Sequence, residues 1–104
     1  MSDDLKTVKT FEAFYPLYLK EHQHPLCRRM HFIGTGLGIT GLFTFAATGF
    51  PEAILGGLIA AYAFAWAGHV LFEKNKPATF KRPLFSLMGD LAMFRDMVAG
   101  RIPF

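Results

Sequence analysis

Two long runs without a charged residue constrain this chain more than anything else in it. No Asp, Glu, Lys or Arg occurs from Phe32 to Phe50, and none from Ala53 to Phe72. Each run is about 20 residues, the length an α-helix needs to cross a hydrocarbon core. Buried helices of soluble bundles are usually shorter and interrupted by charge on one face. Between the runs lies Thr48-Gly49-Phe50-Pro51-Glu52. Gly followed by Pro marks a turn, and Pro51 suits the first turn of a second helix. So short a link permits only an antiparallel hairpin. It holds no Lys or Arg, whereas the segments outside the hairpin hold all 11. By the positive-inside rule, both termini face the cytoplasm.

The rest of the composition agrees with a membrane protein. A 104-residue chain is one domain, and as a soluble globule it would be marginally stable. Hydrophobic residues make up 52% and charged ones 18%, below the usual quarter. The net charge of +3 comes from basic residues that flank apolar runs. That pattern fits a membrane surface, and no basic block interleaved with stacking aromatics points to nucleic acid. Cys27 is the single cysteine, so neither an intramolecular disulfide nor a multi-cysteine zinc site is open to the chain. The first 30 residues are polar and mixed rather than a signal peptide, so the first apolar run is expected to stay in the protein.

The expected architecture is therefore an all-α membrane protein, with two transmembrane helices over 31–50 and 52–72. Residues 1–10 form a polar N-terminus. Residues 11–24 place Phe11, Phe14, Tyr15, Tyr18 and Leu19 on one side of an amphipathic helix. Pro16 predicts a kink or a late start, and Pro25 an end at His24. Residues 25–31 and 73–83 are basic joints, with Pro25 able to open the next helix. Leu84, Leu87, Met88, Leu91 and Val98 form the stripe of a second amphipathic helix over 84–99, lying at the interface or against the hairpin. Gly34, Gly38 and Gly41 on one span, and Gly57, Ala61, Ala65 and Gly68 on the other, predict a close-packed seam. The same small residues could pair two copies in a homo-oligomer.

The four histidines, His22, His24, His31 and His69, all fall near the cytoplasmic boundary. Phe50 stands midway between His31 and His69, so two antiparallel helices bring these two to one depth. His22 and His24 end the preceding helix close to that level. An ionisable group inside a span is costly and marks function by default. Imidazole suits Fe, Zn, Cu or Ni. Glu73, four residues after His69 on a continuous helix, would point the same way as a further ligand or as a partner orienting an imidazole. Asp90 is a reserve candidate for the same roles. Arg28, Arg29, Lys74, Lys76, Lys81 and Arg82 ring this face, suited to lipid head groups or to a carboxylate-bearing substrate head. Two other readings remain open: a haem clamped between two level histidines, and a non-catalytic membrane interaction protein.

Two blocks, EHQHPLCRRMHFIGT (residues 21–35) and GHVLFEKNKPATFKRPLFSLMGD (residues 68–90), resemble the 2-hydroxy fatty acid dioxygenase-like family. The shared elements are His22 before Pro25, His31 six residues after that proline, Gly68-His69, Phe72-Glu73-Lys74 and Pro77-Ala78. The resemblance runs from about Phe14 onward. Its fungal members are longer, with extra hydrophobic spans between the blocks; the Cys27-Arg28-Arg29 stretch is similar to shorter bacterial relatives, which implies a bacterial inner membrane. The resemblance implies a membrane-bound Fe(II) dioxygenase that uses molecular oxygen to remove one carbon from 2-hydroxy fatty acids. It further implies that His22, His31 and His69 hold the iron and that His24 stands outside the ligand set; on ligand type alone, Zn or haem are the alternatives.

Overall fold

The computed structural model describes residues 7–77 and 81–104. Residues 1–6 of the polar N-terminus, and Ala78 of the Pro77-Ala78 element, lie outside them. Among the described residues the secondary structure is helical, with no strand: α1 (Phe11–Lys20), α2 (Pro25–Thr48), α3 (Pro51–Gly68), a π-helical turn (His69–Glu73) and α4 (Pro83–Val98).

Each boundary has a local cause. Thr10 is extended, and its hydroxyl accepts from the Ala13 amide at 3.2 Å, which starts α1. Pro16 lies inside α1 on its exposed side, and the helix passes through it. α1 stops at Lys20, short of Pro25. His24 then takes the extended backbone that a following proline demands, and its Nδ1 accepts from the Leu26 amide at 3.1 Å. Pro25 occupies the first position of α2, so the basic stretch after it is helical from the start. α2 ends at Gly49, whose left-handed φ of 75° lets its amide reach the Phe45 carbonyl at 2.7 Å. Prolines also open α3 and α4.

α2 and α3 meet through small residues. Gly34 lies against Ala61 and Phe64, Gly38 against Gly57, Gly41 against Ala53 and Gly57, and Gly68 against Cys27 and Met30. Partners fall along α3 as positions rise along α2, so the helices run in opposite directions. A methyl on Gly34 would come within 2.8 Å of the Ala61 carbonyl oxygen, and one on Gly41 would collide with the Ala53 carbonyl. The large apolar side chains of these helices point outward instead, among them Phe43, Leu55 and Ile59.

The buried apolar core lies elsewhere, where α1 crosses α4. Phe14, Tyr18, Met93 and Met97 are buried there, with Phe11, Tyr15 and Phe85 packed around them. Phe32 of α2 stacks on Phe94 of α4 with ring centroids 4.6 Å apart, joining the two halves. α4 turns Ser86, Gly89, Ala92, Met93, Asp96 and Met97 inward. Leu84, Leu87, Met88, Leu91 and Val98 face out, so the stripe read from the sequence is an outer face of the molecule. The reason is spacing: the inner face must accept the rings of α1, and it does so with small and flexible residues.

Asp96 fastens the C-terminal turn to α1. Its carboxylate accepts from the Tyr15 hydroxyl at 2.7 Å and from Arg95 and Arg101 at 3.0 Å each, and its carbonyl accepts the Arg101 and Ile102 amides. Burial alone would raise this carboxyl, but the hydrogen bonds from Arg95, Tyr15 and Arg101 outweigh it and hold the group at about 2.

Two outcomes follow. Gly34→Val or Gly41→Val should separate the helices and cost about 2 kcal/mol or more, as overpacking does. Gly56→Ala, which meets nothing within 4 Å, should be neutral or stabilising by up to about 1 kcal/mol. Thermal unfolding in one detergent compares them, and equal melting for all three would remove the seam from the account. For Asp96 the depressed pKa means its contribution is present above the unfolded value near 4 and lost as pH falls toward 2. The exposed arginines moderate the effect. Asp96→Asn should melt lower than wild type at pH 7 and lack this part of the acid-induced fall between about pH 4 and 2.

Candidate metal centre

Three elements deliver one buried imidazole each. His22 follows the end of α1, His31 lies two turns into α2, and His69 stands where α3 passes into the π-helical turn. Their exposures are 1%, 3% and 1%, so none exchanges freely with solvent. The close approach of Gly68 to Cys27 sets the distance between the second and third. Ring centroids are 4.4 Å apart for His22 and His31, 4.5 Å for His22 and His69, and 4.9 Å for His31 and His69.

Every Nδ1 is engaged on the outside of the cluster. His22 Nδ1 meets the Tyr18 carbonyl at 2.6 Å, His31 Nδ1 the Cys27 carbonyl at 2.9 Å, and His69 Nδ1 the Asn75 side-chain oxygen at 2.6 Å. These partners are acceptors, so each Nδ1 carries the hydrogen and each neutral ring keeps a bare lone pair on Nε2. The Nε2 atoms then face one another: His22 lies 3.1 Å from His31 and 2.9 Å from His69. Convergent lone pairs with no hydrogen between them repel unless a cation sits among them. Two imidazole nitrogens bound about 2.1 Å from one ion lie roughly 3 Å apart, which is the spacing here. The donor set therefore fits a metal ion, and the three candidate ligand atoms lie within 4.8 Å of one another. Burial first, and then His31 and His69, push the pKa of His22 well below its usual value and favour the neutral ring that metal binding needs.

The π-helical turn shapes the third corner. The His69 carbonyl accepts the Lys74 amide at 2.6 Å, five residues on, and Lys74 closes the turn with a left-handed φ of 60°. Such turns often occur at functional sites. Glu73 is the last residue of this turn, and its carboxylate is engaged away from the imidazole nitrogens. It accepts the His24 amide instead and ties the end of α3 to the start of α2. Asn75 comes round to His69 in its place. His24 caps α2, and its ring packs on Phe72. Asp90 accepts the Tyr18 hydroxyl, and the Tyr18 ring stacks on His22 with centroids 3.9 Å apart. Burial raises the Asp90 carboxyl to about 6 against the opposing pull of that hydrogen bond.

Of the basic residues, Arg28 is nearest in bonding terms, its Nε donating to the His22 carbonyl at 2.6 Å. Arg29 donates to the Phe104 carbonyl and lies over that ring. Arg82 donates to the Val8 carbonyl and lies over Phe85. Lys74 and Lys76 are exposed, and Lys81 pairs with Glu21 at 3.7 Å. The residues that sequence reasoning passed over are Tyr18, Cys27 and Asn75. Two of them carry a readable signal, since each stands four residues before a histidine, where a helical carbonyl can meet a returning imidazole.

The chain matches the Mpo1-like family, described as 2-hydroxy-palmitic acid dioxygenase Mpo1-like, over residues 8–102. No curated protein and no solved structure matches it. The match spans α1 to α4 and all three converging histidines, and the chain belongs to the Mpo1-like family.

Proposed function

We propose that this protein is a membrane-bound, non-haem Fe(II)-dependent dioxygenase that shortens 2-hydroxy fatty acids by one carbon. The observation that carries the proposal is the convergence of three Nε2 lone pairs whose rings are all oriented from behind. The family description supplies the substrate class and the reaction type. Three imidazole ligands leave positions on iron open for oxygen and for a chelating hydroxy acid, the property on which non-haem oxygenases rely. Nitrogens in direct contact leave no room for a macrocycle between His22 and either neighbour, which favours a single ion over haem.

The membrane setting is supported by how little of α2 and α3 is covered. Only 11% of the most apolar window of α2 is buried, and 22% of that of α3 with its π-helical extension. Core helices of a soluble protein would be mostly buried. Thr40, Thr44 and Thr48 each donate to the carbonyl four residues back, so the outer face of α2 leaves these hydroxyls satisfied without water. In this reading α2 and α3 form a transmembrane hairpin, α1 and α4 lie at the cytoplasmic interface, and a bacterial inner membrane is the setting.

Substrate would enter from the lipid. A groove of about 280 Å³ runs between α2, α3 and α4, from Thr35 and Ala65 to Leu42 and Ile54. Thr35 and Ala65 are each one turn from a site histidine, and apart from Tyr62 and Asp90 the rest of the lining is apolar, so the groove suits an acyl tail whose head lies toward the histidines. Arg28 uses one of five N–H donors on His22, leaving others for a carboxylate. Arg29, Lys74, Lys76 and Arg82 supply positive charge around the same head. The chain's own residues orient the substrate, exclude water through burial and hold the ligand rings in their metal-binding tautomer.

Purified protein should contain about one iron per chain and take up oxygen with 2-hydroxy fatty acids but not with their 2-deoxy counterparts. His22→Ala, His31→Ala and His69→Ala should each weaken metal binding by more than the 10- to 100-fold typical for an outer partner. Each should abolish uptake while retaining helical content. Full activity in any of the three would remove that residue from the mechanism. Bound metal without uptake on any 2-hydroxy acid would leave a metal protein of another activity, and no metal at all would favour a non-catalytic interaction protein.

A further inference from the structure

α4 contributes no imidazole, yet one of its residues is linked to the histidine site. Of the three rings, His31 is fixed within a long helix and His69 at a helical junction. His22 lies past the end of α1, in a turn, where backbone geometry alone constrains its side chain least. Arg28 holds its carbonyl, but its ring is held by Tyr18.

Tyr18 makes three contacts that bear on this. Its carbonyl accepts from His22 Nδ1, its ring stacks on the imidazole, and its hydroxyl donates to Asp90. The side chain is fully buried. Gly89 packs against the Tyr18 ring, and a methyl there would come within 2.8 Å of it, so position 89 admits no side chain while the ring stays in place. The adjacent residues Gly89 and Asp90 thus constrain the ring by shape and its hydroxyl by hydrogen bond.

Resting on the metal site proposed above, we propose that Asp90 is a positioning residue for His22 and acts through Tyr18. With its acceptor in place, the phenol cannot rotate out of the stack, and the imidazole cannot tilt without breaking contact with a ring that is itself held. The bond that matters is hydrogen-bond acceptance, not charge. Asparagine at this position therefore keeps the function, because its amide oxygen still accepts from the phenol, and alanine does not.

The test has a readout that needs no metal. In metal-free protein labelled with ¹⁵N, wild-type His22 should show a single tautomer with hydrogen on Nδ1. Asp90→Ala should give a mixture of tautomers, and Asp90→Asn should restore the single form. Cobalt(II) titration followed by its visible absorption should show affinity falling about tenfold or more for Asp90→Ala, with most of it recovered in Asp90→Asn. Tyr18→Phe, which removes the donor from the other side, should give the same loss, and the double variant should lose no more than either single one. It also decides the matter if Asp90→Ala fails to fold. A folded Asp90→Ala or Tyr18→Phe protein with the wild-type His22 spectrum would overturn the proposal, as would Asp90→Asn behaving like Asp90→Ala. Should wild-type protein bind no cobalt, the metal site itself fails, and the imidazole spectra still decide the role of Asp90.

Discussion

Three imidazole nitrogens with bare lone pairs meet in a buried space, and each is turned there by an acceptor behind its ring. This is the contact on which the rest of the structure converges. Left to themselves, such lone pairs repel, so the surrounding fold must hold them together. The glycine seam brings α2 and α3 near enough for His31 and His69 to face one another. The stack of α1 on α4 brings in the third ring through Tyr18. Neither half of the molecule makes the site alone. A protein whose apolar side chains mostly face outward has little core with which to organise a site, and among the described residues the three histidines make up most of its buried polar side chains.

Much of this was legible from residue spacing. The level of His31 and His69 follows from a turn placed midway between them, and Pro25 and Pro51 mark helix starts that the structure also has. His22, by contrast, was selected by family resemblance, since spacing left it equal to His24. The π-helical turn was not legible. No residue in His69–Glu73 announces it, and a continuous α-helix would have aimed Glu73 at the site and Asn75 away from it. The turn closes instead at left-handed Lys74, after which the Asn75 side chain meets His69 while Glu73 bonds the His24 amide. The link from Asp90 to His22 was hidden for another reason: it passes through a tyrosine in a different helix and depends on how α1 crosses α4. The stripe on α4 was read correctly as apolar, but its direction depends on which face can admit the aromatic rings of α1.

The division of labour between the two halves bears on the proposed chemistry. α2 and α3 present apolar side chains to their surroundings and self-satisfied threonines, as a lipid-facing surface requires. Of the basic residues, Arg28 bonds the His22 carbonyl at the edge of the histidine cluster. The proposed substrate, with a long tail and an anionic head, matches that arrangement, its tail along the groove and its head toward Arg28 and the histidines.

X-ray absorption at the metal edge of the purified protein reads directly whether the three imidazoles bind an ion. One bound ion is expected, with the outer-shell scattering of three imidazole rings, nitrogens at about 2.1 Å and oxygen donors completing the shell. An ion bound through sulfur or carboxylates without imidazole scattering, or protein that takes up no metal while its helices are intact, would contradict this expectation.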